Sequence, residues 1–86
     1  MKVQFLPIFI RHLNRLDPKL QLEAVEKIES FKDRKNHKQL KVHQLHGRLA
    51  GRHGFSVNYK TRIVFSYLSK NEAVLLAIGD HDVYDK

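Results

Sequence analysis

The sequence contains no cysteine and no tryptophan, and it has only two prolines and four glycines. Without cysteine the chain cannot use disulfides, and a structural zinc site would need histidine and carboxylate ligands alone. No stretch approaches the roughly twenty apolar residues that a membrane-crossing helix requires. The apolar run at the start is too short and too interrupted to be a secretory signal. These absences predict a soluble, cytoplasmic protein with no membrane contact.

Acidic residues are also missing from one long segment, because no Asp or Glu occurs between positions 34 and 62. Eight cations stand there: Arg34, Lys35, Lys38, Lys41, Arg48, Arg52, Lys60 and Arg62. Four of the six histidines share the segment: His37, His43, His46 and His53. Such a segment is the electrostatic signature of a surface for a polyanion. A solvated basic face, or a surface for an acidic protein, would carry the same charge. The charge therefore selects a class of partner and leaves the reaction open.

The first part of the chain predicts one strand and two helices. Alternation over 2–6 is typical of a half-buried strand, and apolar residues at helical spacing follow Pro7. Asp17 before Pro18 predicts the capped start of a second helix. Helices with almost no linker are expected to form an antiparallel hairpin on one face of a sheet. With a length that allows one hydrophobic core, the chain 1–86 is expected to be a single domain.

The second part predicts three antiparallel strands. The segment 45–54 holds three of the four glycines, which favours a bent or bulged strand that continues with alternation over 55–59. Alternation over 62–68 predicts the next strand, and a turn at 69–72 leads into an apolar strand at 73–78. The whole pattern predicts an α+β fold.

The last strand runs directly into a polar end that contains His81 between Asp80 and Asp82, with Tyr84 three positions further on. An imidazole exchanges protons near neutral pH, so a histidine on a rigid strand end suits a functional site. His81 is alternatively a surface histidine, and Tyr84 a terminal aromatic that closes the core. Asp82 either orients His81 or caps the chain end.

This order of elements resembles that of the RelE/ParE toxins of bacterial type II toxin–antitoxin modules, over nearly the whole chain. The residues that carry the resemblance are Leu45, Gly47, Gly51, Ser56, Val57, Arg62, Ile63 and Phe65, with the ending Ile78 to Tyr84. His43 is similar to a histidine of the YafQ-like branch, which favours the RelE/YafQ side of the superfamily. The resemblance implies a RelE-like fold: a small twisted antiparallel sheet with both helices on one face and a concave basic groove on the other.

The resemblance further implies a cytoplasmic bacterial toxin that cleaves messenger RNA without a metal or other cofactor, on the ribosome. It would inhibit translation, and an acidic antitoxin would neutralise it in an oligomeric complex. ParE-like members inhibit DNA gyrase without nuclease activity, so a gyrase inhibitor is the alternative. A third possibility is a catalytically inactive relative that only binds nucleic acid.

For cleavage, His81 is the expected general acid, Arg62 the stabiliser of the transition state, and Tyr84 a partner for a base or a phosphate. His53 and His43 are the candidate general bases. The residues expected to bind RNA are Arg48, Arg52, Lys60, His43 and Lys41. Other nucleases of the family have lysines or a histidine where this chain has Ser56 and Asn58, and His53, Arg52 and Lys60 would supply what these two lack.

A metal site is the remaining chemical alternative. His43 and His46 are three residues apart and would share one face of a helix, with Asp80 or Asp82 completing a ligand set. The spacing matches no recognised metal motif, and a two-metal nuclease would need a carboxylate cluster. We therefore expect no metal.

Overall fold

The structure of the protein, a computed structural model, describes residues 1–85 apart from the side chains of His81 and Asp85. Its strands are β1 (Lys2–Phe5), β2 (His43–Gln44), β3 (His53–Ser56), β4 (Arg62–Ser69) and β5 (Glu72–Gly79). Its α-helices are α1 (Pro7–Arg15) and α2 (Pro18–Phe31). Short 3-10 helices occur at Arg34–Asn36, Gly47–Leu49 and His81–Asp85. The strands form one sheet in the order β1-β5-β4-β3-β2. β1 is parallel to β5 and the other neighbours are antiparallel, so the sheet is mixed and not wholly antiparallel as expected.

Both α-helices begin at a proline, as the sequence predicts. The carboxylate of Asp17 accepts hydrogen bonds from the backbone N–H groups of Lys19 and Leu20, each at 3.1 Å. These bonds satisfy donors that have no partner inside the helix, so α2 starts at a defined residue. Among the described residues, no helix is both long and apolar enough to span a membrane.

The helices pack on a single face of the sheet, which we call the helix face. Its large, fully buried side chains include Phe9, Phe31, Phe55, Ile63, Phe65 and Leu75. Phe31 of α2 is central, because its ring centroid lies 4.5 Å from that of Phe55 and 4.7 Å from that of Phe65. The predicted α+β architecture, with both helices on one side of the sheet, is confirmed.

The opposite face, which we call the groove face, carries a smaller apolar cluster. It contains Leu45, Leu49 and Val64, with Leu76, Ala77, Val83 and Tyr84 packed against them. Leu45 and Leu49 come from the segment between β2 and β3, and Val83 and Tyr84 from the 3-10 helix after β5. Two short segments therefore take the place that the helices have on the other face.

The prediction of one bent strand over 45–54 is wrong. The chain instead leaves β2 at Gln44, makes the 3-10 helix Gly47–Leu49 and enters β3 at His53. Gly47 and Gly51 have φ values of 70° and 88°, in the left-handed region that glycine adopts without steric cost. These two glycines turn the chain and do not bulge a strand.

The end of β3 also differs from the prediction, whereas the end of β5 agrees with it. β3 ends at Ser56, so the alternation over 55–59 does not continue the strand, and Tyr59 is 79% exposed in the following turn. The last strand ends at Gly79, as predicted, and the polar end that follows it is the 3-10 helix His81–Asp85. Neighbours there do not alternate between sheet faces, and this places Val83 and Tyr84 together in the groove-face cluster.

Candidate active site on the groove face

Strand register places the polar side chains of the groove face. His43 of β2 pairs with Gly54 of β3, and Gly54 pairs with Val64 of β4. Two residues further along β3, Ser56 pairs with Arg62. Because side chains alternate along a strand, all five residues belong to the groove face, in two cross-strand rows. The rows are about 7 Å apart along the strands.

Tyr84 lies over the first of these rows. Its ring is edge-on to His43, with the centroids 5.5 Å apart and the ring planes at 80°. The phenol oxygen is buried. Burial raises the pKa of the Tyr84 hydroxyl above its ordinary value, and the nearby positive charge of Arg62 opposes that rise. Tyr84 is therefore neutral at physiological pH and lies within electrostatic range of Arg62.

Arg62 is oriented by the turn between β3 and β4. Its Nη1 donates to the carbonyl oxygens of Asn58 and of Thr61, the latter at 3.2 Å. Asn58 holds the turn itself, because its side-chain oxygen accepts from the N–H groups of Lys60 and Thr61, each at 2.8 Å. The Asn58 amide also donates to Glu23 Oε1 at 2.8 Å, which ties the turn to α2. The turn thus holds the Arg62 guanidinium in a defined orientation.

His43 is exposed, and its tautomer follows from one hydrogen bond. Nδ1 lies 2.7 Å from the carbonyl oxygen of Lys41. A carbonyl only accepts hydrogen bonds, so Nδ1 carries the proton. In the neutral ring Nε2 then has the lone pair and can accept a proton from a substrate.

His53 lies on the helix face, since it neighbours Gly54 in β3 and points the other way. Its ring centroid is 5.5 Å from that of Phe65 and 4.8 Å from that of Tyr67. Its Nδ1 is buried and has no hydrogen-bond partner among the described residues. Burial lowers the pKa of His53, and the neighbouring His43 lowers it further. The fold therefore does not bring His53 together with Arg62 and Tyr84.

The four lysines and arginines expected to bind RNA, Lys41, Arg48, Arg52 and Lys60, are all exposed. Arg52 lines a cavity of about 650 Å³ whose wall also includes Asp80 and Asp82. Lys60 and Tyr59 line a smaller cleft with the same two aspartates. The groove face therefore combines cations with carboxylates that follow β5, in addition to the basic character that the resemblance implied.

The side chain of His81, the expected general acid, lies outside the described residues. Its backbone begins the 3-10 helix that carries Tyr84. Its role stays a prediction. Among the described residues, no group of three or more His, Asp or Glu side chains could hold a metal ion. His43 lies in a strand and His46 outside the α-helices, so the helical pair of ligands is absent.

Sequence reasoning missed Gly54, against which the Tyr84 ring packs. A glycine beside an alternating apolar pattern often marks a place where another group approaches the backbone closely. That signal was present, but the sequence does not indicate which group approaches.

No protein-family model and no curated protein matches this chain. Solved structures with a similar fold do exist. A chain of the RelBE2 toxin–antitoxin complex from Mycobacterium tuberculosis has a TM-score of 0.76 and 20% identity, covering 93% of this chain and 96% of that one. The chain has the fold of the RelE/ParE toxins. The RelE-like resemblance read from the sequence is confirmed at this level.

Two other structures with the RelE-like fold lead to the same conclusion. A chain of the YoeB–YefM complex from Staphylococcus aureus has a TM-score of 0.71 and 16% identity, covering 94% of this chain and 97% of that one. The YoeB/ParE toxin from Agrobacterium tumefaciens has a TM-score of 0.65 and 16% identity, covering 94% and 99%. Similarity at these identities establishes the fold, and function has to be argued from the site.

Proposed function

We propose that this protein is the toxin of a type II toxin–antitoxin module and a metal-independent endoribonuclease that cleaves messenger RNA on the ribosome. The observation that carries the proposal is the grouping of His43, Tyr84 and Arg62 on the groove face. Two of them, His43 and Arg62, lie in the acid-free segment. The fold shared with RelE and YoeB toxins supports the same function.

Cleavage without a metal is an internal transfer within the RNA. The 2′-hydroxyl loses its proton and attacks the adjacent phosphorus, and the bond from phosphorus to the 5′-oxygen breaks. The leaving 5′-oxygen takes up a proton, so the products are a 2′,3′-cyclic phosphate and a 5′-hydroxyl. A base, a cation and an acid are sufficient for this reaction.

His43 is the general base in this proposal. It is exposed, its neutral form presents Nε2 for proton uptake, and it lies beside Tyr84. His53 was the other candidate, but its ring is packed against Phe65 and Tyr67 on the helix face. A substrate in the groove would reach His43 and not His53.

Arg62 stabilises the charge that builds up on the phosphoryl oxygens. A guanidinium remains protonated throughout and matches phosphate geometry with a planar fork of donors. The turn that orients Arg62 is fixed by Asn58, so little reorganisation is needed when a phosphate arrives. Tyr84 offers an aromatic surface for a base, and His81 is the proposed acid.

The partners follow from the same charges. Single-stranded RNA would follow the exposed cations Lys41, Arg48, Arg52 and Lys60. An acidic antitoxin that covers these cations would exclude RNA. Similar chains from M. tuberculosis and from a heterotetrameric YoeB–YefM complex of S. aureus come from structures named as toxin–antitoxin complexes. We therefore expect a cognate antitoxin and an oligomeric complex.

The decisive experiment measures cleavage of messenger RNA on programmed ribosomes by toxin that has first been stripped of metal with EDTA and then freed of the chelator, because ribosomes need Mg²⁺ to stay assembled. We expect cleavage by the wild type, and for His43→Gln a loss of about 10²- to 10⁴-fold, the usual contribution of a general base. His46→Gln is the matched control, since His46 is an exposed histidine nearby. No cleavage by the wild type, beside an active positive control, would refute the proposal.

A gyrase inhibitor is the second candidate, because one structure with this fold is named as a YoeB/ParE toxin. The same preparation would then inhibit supercoiling by DNA gyrase and leave messenger RNA intact. His43→Gln would have no effect on that inhibition.

A further inference from the structure

The Tyr84 ring approaches the backbone of β3 more closely than any side chain at position 54 would allow. A Cβ atom on Gly54 would lie 2.6 Å from Tyr84 Oη, 2.7 Å from Cε1 and 2.8 Å from Cζ. Non-bonded atoms optimally stand about 3.5–4.0 Å apart, so the ring would have to move. The positive φ values among the glycines belong to Gly47 and Gly51, so position 54 does not need glycine for its backbone conformation. Glycine is needed at position 54 because the Tyr84 ring occupies the space that a side chain would fill.

Gly54 also lies between the two strands that carry His43 and Val64 on the groove face. It pairs with His43 on one side and with Val64 on the other. The strand that carries His43 has only two residues, so its position depends on its pairing with β3. The backbone of Gly54 therefore positions the strand that carries His43. Its missing side chain leaves room for the Tyr84 ring, which contacts His43.

We propose that Gly54 is a positioning residue of the groove face, whose missing side chain leaves the space that seats the Tyr84 ring beside His43. Its effect on catalysis rests on the proposed RNA cleavage. The packing of the Tyr84 ring against Gly54, which we call the seat, is a property of the folded chain. Tyr84 belongs to a short 3-10 helix, whereas Gly54 is paired on both sides within the sheet, so we expect a collision to move the ring and not the sheet.

The first test uses nuclear Overhauser contacts between the ring protons of Tyr84 and His43. We expect these contacts in the wild type and their loss in Gly54→Ala. Gly79→Ala is the matched control, because a Cβ there would lie 3.6 Å from Val83 Cβ, an ordinary contact. Contacts that persist in Gly54→Ala would overturn the proposal.

A second test applies if Gly54→Ala is too unstable to study. The double variant Gly54→Ala/Tyr84→Ala removes the ring along with the collision, so we expect it to fold and to unfold at about the temperature of Tyr84→Ala. If the double variant also fails to fold, position 54 needs glycine for another reason and the seat is refuted.

Activity then tests the role of the seat. We expect Gly54→Ala and Tyr84→Ala to lower cleavage by a similar factor, roughly five- to a hundredfold if one stacked base is lost. The double variant should be no worse than either single variant. If the wild type does not cleave RNA, the proposed function fails while the ring contacts still decide the seat. If Gly54→Ala loses the contacts but keeps full activity, the positioning role is overturned.

Discussion

The helix face and the groove face consist of the same strands but differ in what covers them. On the helix face two α-helices bury a core in which Phe9, Phe31, Phe55 and Phe65 are fully inaccessible. On the groove face only short segments cover the sheet, and His43 stays exposed. The first face holds the larger part of the buried core, and the second leaves polar side chains accessible, as the proposed chemistry requires.

β3 shows how narrowly the two faces are separated. His53 and Phe55 point to the helix face, while Gly54 and Ser56 point to the groove. A register slip of one residue would place Phe55 in the groove and the seat of Tyr84 in the core. The helix-face aromatics therefore hold the groove side chains in place as well as stabilising the fold.

The largest expected effect comes from the helix face. Phe31→Ala removes a ring that contacts Phe55 and Phe65 and leaves a cavity, so we expect the free energy of unfolding to fall by about 3–5 kcal/mol. Urea denaturation followed by circular dichroism measures this loss. Tyr59→Ala, at a residue that is 79% exposed, should change it by less than about 0.5 kcal/mol. A loss below about 1 kcal/mol for Phe31→Ala would mean that the helix face is not the main source of stability.

The next effect concerns activity and comes from the groove face. Arg62→Ala removes the proposed phosphate cation, so we expect ribosome-dependent cleavage to slow by about 10²- to 10³-fold while the sheet stays folded. Arg62→Lys keeps the charge but loses the planar fork, and should recover only part of the rate. Arg15→Ala, an exposed arginine at the end of α1, is the control and should cleave normally. Equal rates for Arg62→Ala and Arg15→Ala would exclude the role given to Arg62.

The difference between the faces also explains how much could be read from the sequence. Apolar periodicity and the Asp17-Pro18 cap predicted both helices, and β4 and β5 were predicted within about a residue. Each of these depends on local pattern alone. The two-residue β2 was not predicted, because it is too short for any periodicity and exists only through its pairing with β3.

The candidate site was predicted less completely for the same reason. The sequence singled out Arg62, Tyr84 and His43, but it could not choose between His43 and His53 as base. That choice depends on which face of the sheet each histidine side chain lies on, and the pairing register of the strands determines that face. Gly54 was missed because its importance lies in a contact with Tyr84, thirty positions away in the chain.

A smaller expected effect is a pH dependence of the free energy of unfolding, which arises from His53. The unfolded chain protonates His53 near pH 6.5, whereas burial lowers the pKa of this ring in the folded protein. The free energy of unfolding should therefore fall as pH drops below about 6.5, and stop falling once the pH is below the folded pKa. Denaturation midpoints between pH 5 and 8 measure this slope. His53→Gln should flatten it and His46→Gln should not; an unchanged slope in His53→Gln would assign it to other groups.

The smallest expected effect is on the salt dependence of RNA binding, and it compares a lysine of the groove face with a lysine on α2. Lys60 is exposed beside Arg62, and Lys19 is exposed on α2. Each phosphate contact that a cation makes with single-stranded RNA contributes about 0.7 to the slope of log affinity against log salt concentration. If RNA lies along the groove face, Lys60→Gln should reduce that slope by about 0.7, and Lys19→Gln should leave it unchanged. Asp80 and Asp82 lie in the same cleft as Lys60. An unchanged slope for Lys60→Gln would mean that Lys60 makes no phosphate contact and that the RNA path does not pass this cleft.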